Sequence, residues 1–203
     1  MYLTRSNKIL QLLMPTLVWK IPSVDTVFLT FDDGPHPAIT PKVLDWLDAY
    51  NAKATFFCVG ENAQQYPDII ENILNRGHKI GNHTHQHING WKNASRDYTS
   101  NIDKAQPFLY YTPLFRPPYG RITYQQIRQL KNYKIIMWSL LSGDFDVKIS
   151  KEKCFLNIQN QIRTGDIIVF HDSEKAWERM AYALPLTLAL CQEKGFKMDS
   201  LPF

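Results

Sequence analysis

The chain has 203 residues, is 44% hydrophobic, and carries 23 basic against 19 acidic side chains for a net charge of +4. That length suits one globular domain with a sizeable core, and a mild basic excess without a Lys/Arg block argues against a nucleic-acid-binding protein while leaving an anionic polymer open as partner. No stretch approaches the ~18 apolar residues that cross a bilayer, so no transmembrane segment is expected.

At the N-terminus, Arg5 and Lys8 precede Ile9-Leu10-Gln11-Leu12-Leu13-Met14, a superficial match to a signal peptide. Gln11 and Pro15 interrupt the apolar run and no small-residue cleavage site follows, so residues 1–23 read as an unprocessed lead-in, favouring a cytoplasmic over a secreted protein. Residues 24–31 read as a strand, because the apolar run Val27-Phe28-Leu29 leads into Thr30-Phe31-Asp32-Asp33-Gly34-Pro35, where Gly34 and Pro35 force a turn. Side chains alternate along a strand, so adjacent aspartates at its end point different ways. One can hold a metal while the other handles a proton, the division of labour that metal-assisted hydrolysis requires.

Thr40-Pro41 opens a helix over 41–50, a second strand covers 53–59, and a helix over 61–76 stops at Arg76-Gly77. A short third strand, 78–81, runs into Gly81-Asn82-His83-Thr84-His85-Gln86-His87. The spacing of His83 and His87 predicts one helical turn with both rings on one face. Joined by the Asp33 carboxylate, they make a three-ligand set with an open position for water, as in catalytic zinc sites. A solvated turn is the plainer alternative.

A helix around 95–111 precedes a fourth strand, Leu114-Phe115-Arg116, closed by Pro117-Pro118. In Arg116-Pro117-Pro118-Tyr119-Gly120 the prolines stiffen the loop and Gly120 admits close backbone approach, so an N–H can be aimed at an oxyanion. A helix over 123–132 and a fifth strand over 134–138 follow, and Asp144 lies beyond them as loop solvation or as partner to another group. After a helix over 150–163, the sixth strand, 167–170, delivers His171 and Asp172. His171 serves there either as a cap or as an acid for a leaving nitrogen. A helix over 175–194 and a seventh strand begun by residues 195–198 complete the chain, whose cysteines, Cys58, Cys154 and Cys191, read as buried small hydrophobes. Seven β-then-α units predict a parallel sheet with helices outside, closed as a barrel or open and doubly wound, with every motif at the C-terminal rim.

These motifs together resemble the polysaccharide deacetylase family, carbohydrate esterase family four, also called the NodB homology domain. The resemblance runs from about Val24 to Met198, through Thr30 to Pro35, Ala54-Thr55-Phe56-Phe57 with Val59-Gly60, Gly77 to Thr84 with His87, Arg116 to Gly120, and His171-Asp172. It implies a single-domain distorted (β/α)7 barrel, TIM-barrel-like, with 24–203 as catalytic domain. The implied activity is metal-dependent removal of N-acetyl, less often O-acetyl, groups from an N-acetylglucosamine-containing glycan, peptidoglycan or a chitin-like oligomer, by a monomer. By the same resemblance Asp33, His83 and His87 are the ligands of a divalent metal, zinc first, with cobalt, nickel or manganese as alternatives. Asp32 is the implied base and Arg116 its orienting partner. His171 is the implied acid, tuned by Asp144, while the Tyr119 N–H holds the oxyanion and Val169 walls the acetyl methyl. Two positions depart from the family pattern: Leu141 stands where an aspartate is frequent, and Phe145 replaces a tryptophan, keeping an aromatic contact without the indole N–H. The alternatives are deacetylation of a small amide or amino sugar, and a non-catalytic carbohydrate-binding protein.

Overall fold

The computed structural model describes residues 3–203. Its centre is β1, Thr26–Asp32, flanked in parallel by β2, Thr55–Cys58, and β7, Ile167–His171. Both faces of these strands are covered, which is why they read as continuous apolar runs instead of alternating ones. The sheet continues through β3, Lys79–Asn82, β4, Leu114–Phe115, and β5, Lys134–Ile135, on one side, and through β6, Leu140–Leu141, on the other. The order β5-β4-β3-β2-β1-β7-β6, parallel throughout, curls into the distorted (β/α)7 barrel; β8, Lys197–Asp199, is a further strand paired to the start of β1.

Register decides what meets at the rim. Asp32 lies opposite His171 across β1 and β7, Asp32 opposite Phe57 across β1 and β2, and Asn82 opposite Phe115 across β3 and β4. The strands therefore end at one level, and the polar residues that follow them converge.

The helices are α1, Lys8–Leu13, α2, Thr40–Ala49, α3, Gly60–Gln65, α4, Pro67–Asn75, α5, Ser95–Ala105, α6, Tyr124–Gln129, α7, Lys151–Gln159, and α8, Glu174–Glu193. The expected helix over 61–76 is two, because Pro67 has no N–H to continue α3 and instead opens α4. The expected helix to 111 ends at Ala105 in a tight turn over Gln106–Leu109. The expected strand over 134–138 is cut to two residues. Ser139 takes the chain across to β7 instead, its N–H donating to the Ile167 carbonyl and its Oγ accepting from the Ile167 N–H at 3.0 Å.

β5 and β6 lie at opposite ends of the order, and the N-terminal residues lace the seam between them. Val18 bridges Ile136 in parallel and Arg5 bridges Leu140 in antiparallel sense. The Arg5 guanidinium then reaches the buried Asp166 carboxylate at 2.8 Å, a partner 161 residues away.

Candidate active site

Asp32 ends β1 with its side chain nearly buried, and Arg116, fully buried at the end of β4, donates to its Oδ1 at 2.6 Å. The same guanidinium donates to Thr30 Oγ1 at 2.8 Å and to the carbonyls of Met137 at 3.0 Å and Ile136 at 3.3 Å, and it lies over the Phe57 ring. Four hydrogen bonds and the ring contact fix the guanidinium, so Asp32 is held in one orientation with its second oxygen free of Arg116.

The next residue turns away. Asp33 adopts φ 78°, and the turn is fixed by Asn62 donating to its carbonyl at 2.8 Å and by the Val59 N–H donating to the Gly34 carbonyl at 2.8 Å. The buried Asp172 carboxyl packs on Gly34 and accepts from Thr40 Oγ1 at 2.5 Å. Burial pushes Asp172 up to about 7, opposed by the Thr40 hydrogen bond and reinforced by Asp33 and Asp32. A Cβ on Gly34 would meet that carboxyl at 2.2 to 2.5 Å. Gly34→Ala is therefore expected to cost about 1–3 kcal/mol in urea unfolding; an unchanged midpoint would contradict this packing.

His83 and His87 lie on a loop, not on the helical turn that their spacing predicts. Thr84 and His87 take φ values of 63° and 51°, left-handed conformations that a helix cannot contain. Asn82 starts the loop by accepting from the Thr84 N–H at 2.8 Å, and its amide donates to the Ile102 carbonyl at 2.9 Å. The rings nonetheless come together, with centroids 5.0 Å apart. His85 packs on Phe108 instead and takes no part.

His83 Nδ1 is 2.7 Å from the Arg116 carbonyl, which can only accept, so Nδ1 carries the proton and Nε2 offers its lone pair. Burial lowers His83 to about 4, keeping it neutral. Asp33 Oδ1 lies 3.7 Å from that Nε2 and 3.1 Å from His87 Nε2. Burial works to raise the Asp33 carboxyl, but the His87 hydrogen bond and the charges of His171, His83 and His87 outweigh it and hold it well below the usual carboxylate range. The three donor atoms lie within 4.8 Å of one another. One carboxylate and two imidazoles, one of them with its tautomer already set, can hold a divalent cation of the zinc type.

Across the rim, His171 Nδ1 donates to Asp144 Oδ1 at 2.7 Å, and its backbone N–H donates to Oδ2 at 2.7 Å. Asp144 is fully buried, and Arg179 Nε holds its carbonyl at 2.7 Å. Burial opposes charge on His171, yet the attraction and hydrogen bond of Asp144, with Asp33 and Asp32 behind it, raise it to about 10. Phe145 meets the imidazole edge to face at 5.2 Å.

These groups line one pocket of about 530 Å³. Tyr119 forms a wall of it from a left-handed turn, φ 61°, with its exposed ring edge on His87 at 4.7 Å, and Val169 from β7 forms part of the base. Gly120, φ 64°, lets Trp138 close in where a Cβ would stand 2.4 Å from its ring. The structure thus gathers Asp32, Asp33, His83, His87, Tyr119, Phe145, Val169 and His171 around one space, with Arg116 and Asp144 behind them. Sequence reasoning missed Thr30, Asn82 and Thr40 as supports. Trp138, not singled out from the sequence, and Leu141, noted there only as a departure from the family pattern, also line the pocket. The polar residues flanking each motif were the available signal.

The polysaccharide deacetylase family pattern matches residues 20–138. A peptidoglycan-N-acetylglucosamine deacetylase of Bacillus cereus is 37% identical over 184 residues, 87% of this chain but 66% of the relative's length. A chitooligosaccharide deacetylase of Azorhizobium caulinodans is 32% identical over 196 residues, covering 87% of this chain and 93% of that one. The crystal structure of a peptidoglycan N-acetylglucosamine deacetylase in complex with an N-oxidanyl-benzamide superposes with a TM-score of 0.86 at 34% identity, over 92% of this chain and 91% of that chain. With the matched pattern covering more than half its length, this chain belongs to the polysaccharide deacetylase family.

Proposed function

We propose that this protein is a metal-dependent hydrolase that removes N-acetyl groups from an N-acetylglucosamine-containing glycan and releases acetate. The observation that carries the reading is one pocket in which the Asp33, His83 and His87 cup is flanked by a carboxylate held by arginine and a histidine held by aspartate. Asp33, His83 and His87 would hold the cation, which when bound polarises the acetyl carbonyl and acidifies water. Asp32, fixed by Arg116, takes a proton from the water that attacks the carbonyl carbon. The Tyr119 N–H stabilises the oxyanion that develops. As the carbon–nitrogen bond breaks, His171 gives a proton from its free nitrogen to the sugar nitrogen, and acetate departs with Val169 against its methyl.

His171 must be protonated for that last step. Its pKa in the fold lies above the ~6.5 of an unperturbed imidazole, so its contribution to stability is fully present below that value and is lost as pH rises through about 10. A cation on Asp33 offsets part of the upward push, so the alkaline limb of kcat is expected below about 10. Asp144→Asn removes the main positive influence and is expected to move that limb toward ~6.5. An unmoved limb would dissociate His171 from the acid step.

Acetate release from chitooligosaccharides, peptidoglycan and N-acetylated monosaccharides, with and without chelator, tests the proposal. Chelator-sensitive release from an oligomer supports it. Release from monosaccharides alone would replace it with a small-amide deacetylase, and no release from any would favour a carbohydrate-binding protein.

A further inference from the structure

Two cations stand on the pocket wall outside the machinery described above, Arg121 and Lys175. Arg121 follows the Tyr119–Gly120 turn, and its guanidinium lies 5.2 Å from the centre of the Trp91 ring. The Trp91 indole is itself tied down, donating to the Ile122 carbonyl at 3.2 Å, so the cation rests on an anchored shelf. Lys175 stands in the first turn of α8, on the side of the pocket that carries His171. Both side chains are exposed, and among the described residues neither forms an ion pair.

Neither carboxylate in the pocket wall pairs with these cations: Asp32 is bonded to Arg116, and Asp33 faces His83 and His87 in the candidate metal cup. The wall therefore presents two cations without an ion-pair partner among the described residues, on a chain whose net charge is +4. Low-dielectric walls focus such a field and concentrate ligands of opposite sign. A guanidinium matches a carboxylate in geometry as well as charge, whereas a neutral sugar gains little from either group.

Building on the deacetylase reading of this pocket, we infer that Arg121 and Lys175 select a glycan that bears carboxylates beside its acetamido group over a neutral one. The carboxylate can belong to an acidic ether substituent of the sugar ring or to a peptide attached to it.

The test uses the zinc-loaded protein and three glycans: peptidoglycan strands with peptide stems removed, strands with stems retained, and stem-free strands whose carboxylates have been converted to methylamides. The expected result is a kcat/KM for acetate release on the order of tenfold higher with free carboxylates than with methylamides, carried by KM and shrinking as salt is raised toward ~1 M. Preference for the stem-free acid assigns the ring substituent, and preference only with stems assigns the peptide. Arg121→Gln and Lys175→Gln should each reduce the acid-to-amide ratio, and the double variant should bring it near unity. A wild-type acid-to-amide ratio of one on stem-free strands together with no gain on strands that keep their stems, or a preference untouched in the double variant, overturns the inference while leaving deacetylation standing. Absence of acetate from all three glycans, with none from chitooligosaccharides, overturns the deacetylase reading itself and this inference with it.

Discussion

Asp32→Asn is expected to lower kcat for acetate release by on the order of 10²–10⁴-fold while the protein still binds its cation. Asparagine has the same shape and keeps an oxygen that can accept from Arg116, so the orientation seen at 2.6 Å can persist. It cannot take a proton. The three candidate ligands, Asp33, His83 and His87, are untouched, because Asp33 is turned away from Asp32 by its own left-handed backbone. The buried Arg116 loses its countercharge, so thermal stability should also fall. Measuring kcat, bound metal and melting temperature on one preparation separates the two effects. A kcat within tenfold of wild type would remove Asp32 from the proton transfer.

The second large effect is structural. Arg116→Leu is expected to destabilise the fold by about 3–5 kcal/mol, the cost of leaving one member of a buried ion pair without the other. Asp32 would remain in a nearly dry site, and Thr30 Oγ1 and the carbonyls of Ile136 and Met137 would lose a donor together. The double variant Asp32→Asn/Arg116→Leu should lose less than the sum of the two single losses, since no charge is then stranded. Urea unfolding of the four proteins checks this. A single-variant loss below about 1 kcal/mol would show that Arg116 is not carrying the pair.

The central strands and the catalytic rim were legible in the sequence because β1 and β7 are apolar runs that stop at chemically distinctive residues, Asp32-Asp33 and His171. Their register, which sets Asp32 beside His171, follows from parallel pairing but could not be read residue by residue. The loop of His83 and His87 was misread as helical because four-residue spacing is the same signal in both. What overrides it is tertiary: Asn82 tied to Ile102, and the His85 N–H bonded to the Asn101 carbonyl, hold a β-branched threonine in a left-handed conformation. The seam was equally hidden, since Arg5 meets Asp166 across almost the whole length of the chain. Arg116 was the reverse case. A lone arginine before two prolines has a plain reading as a surface cation, yet it is the largest fully buried side chain in the fold.

The central claim is that one cation in the Asp33, His83 and His87 cup, flanked by Asp32 and His171, deacetylates a glycan. Its most direct test is acetate release from a chitooligosaccharide by chelator-stripped protein titrated with zinc. Activity is predicted to be absent at the start, to rise in proportion to added zinc, and to level off at one ion per chain, with no recovery in His83→Ala. Full activity in the stripped protein, or equal recovery in His83→Ala, would contradict the account.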